Sequence, residues 1–129
     1  VRSLRDHTNR VGATAWQGSL IASGSKDKNI CVRDLRASNG SCVQKLIGHK
    51  QEVCGLRWSP HDNMMLASGG NDNKLMLWQV GQSNNPLIKF GQHTAAVKAI
   101  NWSPLHRGLL ATGGGTADQH IRFWNTLTL

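Results

Sequence analysis

An all-β fold of three consecutive four-stranded antiparallel units is what this sequence predicts, and three observations predict it. The first is a phrase that occurs three times. In its clearest copy, Leu66-Ala67-Ser68 runs into Gly69-Gly70, then Asn71-Asp72-Asn73-Lys74, then Leu75-Met76-Leu77-Trp78. A short apolar run, a turn and a second apolar run make a strand pair. The glycines are read as supplying backbone angles that a side chain would forbid. The Asn and Asp residues favour a turn through local side-chain hydrogen bonds. The other copies run from Ile21 through Asp27 to Arg33 and from Leu110 through Asp118 to Trp124. The second observation is that independent landmarks keep step. His7, His49 and His93 are spaced 42 and 44 residues apart, and so are Val11, Val53, Val97 and Trp16, Trp58, Trp102. The turn aspartates Asp27, Asp72 and Asp118 are 45 and 46 apart. The third is the period itself: about 40–45 residues with four strands per unit is the WD-repeat signature. The fold class is therefore a partial WD-repeat β-propeller, filling 1–129 as one domain with units at about 1–36, 42–80 and 86–127.

In chain order, residues 1–4 are expected to end a strand that runs into Asp6-His7. Residues 11–16 form the first inner strand, where small Gly12 and Ala13 allow close packing. Strands follow at 20–23, 29–35 and 42–47. The first hairpin loop, Gln17-Gly18-Ser19, is shorter than its counterpart at 59–63, which accounts for the uneven period. The second unit repeats the pattern at 53–58, 64–68, 74–80 and 87–90, with a polar outer loop at 81–86. Leu75-Met76-Leu77-Trp78 is apolar enough to be buried on both faces. The third unit supplies 97–102, 109–112 and 120–124. Trp16, Trp58 and Trp102 are expected to be buried on first strands, and Trp78 and Trp124 to lie on third strands. Each unit needs neighbours to cover its apolar faces, so three units leave two faces open.

The formal net charge of +8 suggests an acidic partner. The fifteen Lys and Arg are scattered, however, with no basic run and no aromatic platform between them, so a nucleic-acid site is disfavoured. Cys31, Cys42 and Cys54 form no CxxC pair and are odd in number; they read as apolar strand residues of a reducing compartment. No leader-like segment and no membrane-length apolar run is seen, so no membrane is expected, and the nucleus and cytoplasm are the expected location.

His49, Ser68, Asp72 and Trp78 recur as His93, Thr112, Asp118 and Trp124. Ser, His and Asp together suggest a hydrolase triad, but an enzyme needs one such site and not one per unit. A buried structural network explains the recurrence: indole N–H to hydroxyl, hydroxyl to imidazole, imidazole to carboxylate. The first unit has His7, Ser23 and Asp27 but Arg33 where Trp is expected, so its network is incomplete and Arg33 is expected to reach solvent. One histidine per unit is too dispersed for a metal cluster. No cofactor, no metal and no catalytic residue is expected.

The wording of the repeats goes further than their period. The runs at 48–60, 67–74, 93–100 and 112–118 with 121–126 resemble the Fizzy and Fizzy-related family. Ala95-Ala96-Val97-Lys98 and Trp124-Asn125-Thr126-Leu127 resemble the Fizzy-related branch more closely. The resemblance implies a coactivator of the anaphase-promoting complex, a ubiquitin ligase, whose usually seven-bladed propeller holds degrons on substrates and inhibitors. It implies that Asn71, Asn73 and Thr116 form part of a KEN-box surface. These residues lie in equivalent turns of adjacent units and carry both donors and acceptors, which suits a Lys-Glu-Asn motif. The bland alternative for the two asparagines is a turn-stabilising role. The family's ligase-binding segments and the blades that grip the destruction box have no counterpart in these 129 residues. The competing functional reading is a generic WD-repeat scaffold that joins proteins without reading a degron.

Overall fold

The computed structural model describes residues 2–36, 42 and 44–128. Among the described residues, eleven strands form three antiparallel sheets in chain order. The first holds β1 (Val11–Gln17), β2 (Leu20–Ser25), β3 (Asn29–Asp34) and β4 (Gln44–Ile47). The second holds β5 (Val53–Trp58), β6 (Met65–Gly70), β7 (Leu75–Gln79) and β8 (Ile88–Phe90). The third holds β9 (Val97–Trp102), β10 (Leu109–Gly114) and β11 (Ile121–Asn125). Each sheet is a meander with strands paired in sequence order. The third sheet has three strands among the described residues, against the four expected of a full unit. No helix occurs among those residues.

The expected strands at the amino end are the first correction. Residues 2–4 have no regular structure, and Val1 lies outside the described residues. Elsewhere the alternation of apolar and small residues sets the strands where expected, and β7 is buried on both faces from Leu75 to Trp78. Each inner strand carries the same register irregularity near its start, at Val11/Ala13, Val53/Gly55 and Val97/Ala99.

The sheets stack with their inner strands in step. Trp58 donates its indole N–H to the Ala15 carbonyl (3.1 Å), and Trp102 repeats this one sheet on, to the Arg57 carbonyl (3.1 Å). Two apolar cores fill the gaps between sheets: Ile30, Val32, Leu46, Leu66 and Trp78 in one, Leu75, Leu77, Val97, Ile100 and Leu110 in the other. Trp58 and Trp102 are 8% and 5% exposed, as expected. Trp16 is 60% exposed, which corrects the expectation for it. The reason is architectural: each inner-strand indole is covered by the sheet before it, and no described sheet precedes β1.

Two further corrections concern small residues. Gly69 and Gly70 belong to β6 and not to the turn, and neither has positive φ. Their lack of a Cβ is what matters. A Cβ on Gly69 would overlap the Val97 carbonyl of the next sheet, and one on Gly70 would lie 2.6 Å from His49 Nδ1. The left-handed backbone falls instead on Lys28, Asn73 and Gln119, with φ of 77°, 67° and 59°. The cysteine reading is also revised. Cys31 and Cys42 form a disulfide with Cα atoms 6.4 Å apart, inside the usual span. Pairing of β3 with β4 brings the lead-in to β4 beside β3, a proximity that cysteine spacing does not reveal. Cys54 stays a free thiol, and burial pushes its pKa up to about 11.

Candidate functional site

The face that carries the β2–β3, β6–β7 and β10–β11 turns is built on three copies of one polar network. In the second unit Trp78 Nε1 donates to Ser68 Oγ (2.8 Å), which lies 2.7 Å from His49 Nε2. His49 Nδ1 sits 3.1 Å from both carboxylate oxygens of Asp72. That carboxylate also accepts the backbone N–H of Lys50 (2.9 Å) and of Lys74 (3.2 Å). Indole can only donate and carboxylate can only accept, so the chain runs in one direction, with the His49 proton on Nδ1. The third unit repeats it: Trp124 to Thr112 (2.9 Å), Thr112 to His93 (2.7 Å) and His93 to Asp118 (2.6 Å). There Arg122 and the Thr94 hydroxyl add donors to Asp118. The first unit has His7 between Ser23 (2.8 Å) and Asp27 (3.0 Å).

Arg33 departs from expectation. It lies opposite Ile21 in register, where the other units place Trp78 opposite Leu66 and Trp124 opposite Leu110. It does not reach solvent but is buried, 5% exposed, and binds Asp6 through Nε and Nη2. Asp6 precedes His7, so a carboxylate is at hand to hold the charge, and burial follows from the pairing.

The carboxylates of the networks are held ionised. For Asp72 and Asp27, burial alone would raise the pKa, but hydrogen bonds from histidine and from backbone N–H groups outweigh it and the net direction is down. His93 is the main cause of the lowered Asp118 pKa, with Arg122 and Thr94 behind it. Ser68 has the partners of a catalytic serine but not the access. Its side chain is fully buried, and its oxygen already accepts the Trp78 N–H. The networks anchor the turns; they do not present a nucleophile.

What the turns present is different. The N–H groups of Lys26, Asn71 and Gly115 donate to the carbonyls of Arg10, Glu52 and Ala96, so each turn is tied to the entry of its own inner strand in the same way. Since the sheets stack in step, all three turns share one face. Asn71 and Thr116 are exposed and Asn73 is half-buried. Unlike Asp72 between them, the side chains of Asn71 and Asn73 make no hydrogen bond among the described residues, and neither does that of Thr116. The shared bonding pattern matches Gly115 to Asn71 and Asp118 to Asp72, which makes Thr116 and Ala117 the extra residues of a turn two residues longer. Gln119 was not singled out from sequence. It takes the left-handed position of Asn73 in the third unit, and counting one residue on from each turn aspartate would have found it. Among the described residues no cluster suited to a metal ion occurs.

Comparison with known proteins agrees with the repeats. A family profile described as WD domain, G-beta repeat matches residues 1–34, 40–79 and 84–125. The chain is 60% identical over 99% of its length to the B-type cell cycle switch protein ccs52A of Medicago truncatula. It is 58% identical over 99% to Protein FIZZY-RELATED 1 of Arabidopsis thaliana, and 55% identical over 99% to the anaphase-promoting complex subunit cdc20 of Dictyostelium discoideum. It spans 26% of the length of each of these relatives. A chain in a crystal structure of a mitotic checkpoint complex superposes with a TM-score of 0.92 at 44% identity, over 99% of this chain and 38% of that one. The resemblance to Fizzy-related proteins thus extends over nearly all of the sequence, and the chain belongs to the WD-repeat family.

Proposed function

We propose that this chain is a substrate-recognition segment of an anaphase-promoting complex coactivator, reading KEN-type degrons in cell-cycle control. The observation that carries the reading is the contrast within one turn. Asp72 is fully engaged in holding the turn, while the Asn71 and Asn73 carboxamides on either side have no partner among the described residues. A turn-stabilising role would use those carboxamides. Nor does the backbone demand Asn at position 73, since Lys28 and Gln119 adopt the same left-handed conformation. Free carboxamides and the Thr116 hydroxyl offer donors and acceptors to a Lys-Glu-Asn motif. In this reading the partners are degron-bearing substrates or inhibitors, met in the nucleus and cytoplasm. The ligase is engaged through parts of a full coactivator outside these residues. The protein acts by binding and is not an enzyme.

The test uses the full-length protein containing this segment. Asn71→Ala, Asn73→Ala and Thr116→Ala combined should leave the melting temperature unchanged and weaken KEN-peptide binding by on the order of tenfold or more, about three hydrogen bonds' worth. Asp72→Ala should lower the melting temperature first. Unchanged peptide affinity in the folded triple variant would refute the assignment. Equal binding of a KEN peptide and its alanine-substituted control would favour the generic scaffold instead.

A further inference from the structure

Charge is distributed unevenly between residue types in this molecule. Each of its seven acidic residues is held by an arginine or a histidine. No lysine closes an ion pair among the described residues, and all seven lysines are exposed. Three of them gather around one hollow of about 390 Å³ that also contains Asn71 and Asn73. Lys50 comes from the connection between β4 and β5, Lys74 from the β6–β7 turn, and Lys89 from β8, where it pairs with Met76. Lys74 extends over Gly91, where a Cβ would come within 2.9 Å of its Nζ, so the bare glycine makes room for the ammonium.

The hollow also contains a carboxylate, Asp72, which does not satisfy these lysines. Its side chain is 9% exposed and bonds to His49 and to the backbone N–H groups of Lys50 and Lys74. Asp72 therefore fixes the main chain of two lysines and leaves their ammonium groups free. From these positions we infer that the hollow receives an acidic stretch of the partner peptide, with Asp or Glu residues flanking the degron. The inference rests on the degron reading above. The occupant is specified by charge complementarity: three unpaired cations border the motif-reading turn, and every anion of the chain is already engaged. Lysine is a compact point charge on a flexible stem, whereas arginine imposes a fork geometry. The hollow should accordingly read charge and not carboxylate placement, accepting Asp and Glu alike. Its lining runs from the turn to Lys89 on β8, so the acidic stretch would lie between the motif and the outer strand of the second sheet.

The experiment compares four peptides on the full-length protein by fluorescence anisotropy at low and high salt. One carries the Lys-Glu-Asn core with acidic flanks, one the same core with neutral flanks, one acidic flanks around an alanine-substituted core, and one neutral flanks around that substituted core. The acidic flanks should tighten core binding by roughly two- to fivefold for each ion pair formed. The gain should shrink at high salt. In Lys50→Glu, Lys74→Glu, Lys89→Glu combined, with folding checked by melting temperature, the ratio between acidic and neutral flanks should fall to one or below. Equal affinity of the two intact-core peptides for the native protein overturns the proposal, as does a ratio that survives the triple substitution. So does binding of the broken-core acidic peptide as tight as that of the intact one, which would mark a general polyanion surface. Failure of the neutral-flanked core to bind better than a neutral broken-core control defeats the degron reading itself, and the flank proposal with it.

Discussion

Ser68 shows how little freedom the turn-anchoring side chains have. Its hydroxyl has one donor partner and one acceptor partner, Trp78 and His49, and all three are buried. Ser68→Ala removes one atom and strands two groups, so it should destabilise the folded protein by about 1–3 kcal/mol, read by urea titration of the full-length chain. An exposed serine with no side-chain hydrogen bond among the described residues, such as Ser3, changed to Ala, should move stability by no more than about 0.5 kcal/mol. The aspartates of the three networks add a pH dependence. Their carboxylates titrate below the ordinary range in the folded state. They bind protons more readily unfolded, at about pH 3.9. Their contribution is therefore complete above that pH and is lost as the pH falls through it toward the lower folded values. The carboxylates should make thermal melts fall steeply below about pH 4. Asp72→Asn should flatten that fall.

At the scale of the strand pair, the contact between β6 and β9 depends on a missing side chain. Gly69 faces the Val97 carbonyl with no room for a methyl group. Gly69→Ala must push the second and third sheets apart or bend β6, and the expected cost is about 3 kcal/mol or more. Gly115 is the control. A Cβ there meets nothing nearer than 3.5 Å, and its φ is not positive. Gly115→Ala should stay within about 0.5 kcal/mol of the parent. Comparable melting temperatures for the two variants would contradict the close-approach account of β6. The same strand leads into the turn that carries Asn71 and Asn73, the residues of the proposed degron site, and its close seat on β9 sets where that turn emerges.

Across the whole molecule, both end sheets show apolar side chains to solvent. Trp16 and Val11 stand out on the first sheet, and on the third Ile121 and Phe123 are 75% and 69% exposed. Apolar patches of this kind mark interfaces or aggregation. A propeller has roughly four to eight blades, so three cannot close on themselves. Taken alone, the 129-residue segment should associate, with a light-scattering mass that rises with concentration. A stable monomer at every concentration would contradict this. Iodide quenching separates the tryptophans: Trp16 should be accessible, Trp58, Trp78 and Trp102 protected and the partly buried Trp124 between them, and Trp16 should join the protected group once its face is covered. The face that carries the turns is distinct from these end faces and gathers one turn from each sheet.

Local chemistry determined the strands, the turns and the unit period, because each unit carries its own complete phrase: His, Trp, Ser or Thr, Gly and Asp at repeating intervals. The polar networks were legible for the same reason, since a donor–acceptor chain that recurs in register has few other arrangements. The family wording pointed to Asn71, Asn73 and Thr116 as site residues, and the structure adds what those letters could not, that their side chains are uncommitted while Asp72 is not. Position in the stack was decided only by tertiary structure. Trp16 has the same local sequence role as Trp58 and Trp102 but no described sheet to cover it. Arg33 stands in a tryptophan's place and is buried because Asp6 happens to meet it. Cys31 and Cys42 pair because two strands lie side by side, and Gly69 is needed because a carbonyl of another sheet presses on it. In each case the deciding atom belongs to a residue distant in sequence, and burial, pairing and close approach are properties of that neighbour as much as of the residue itself.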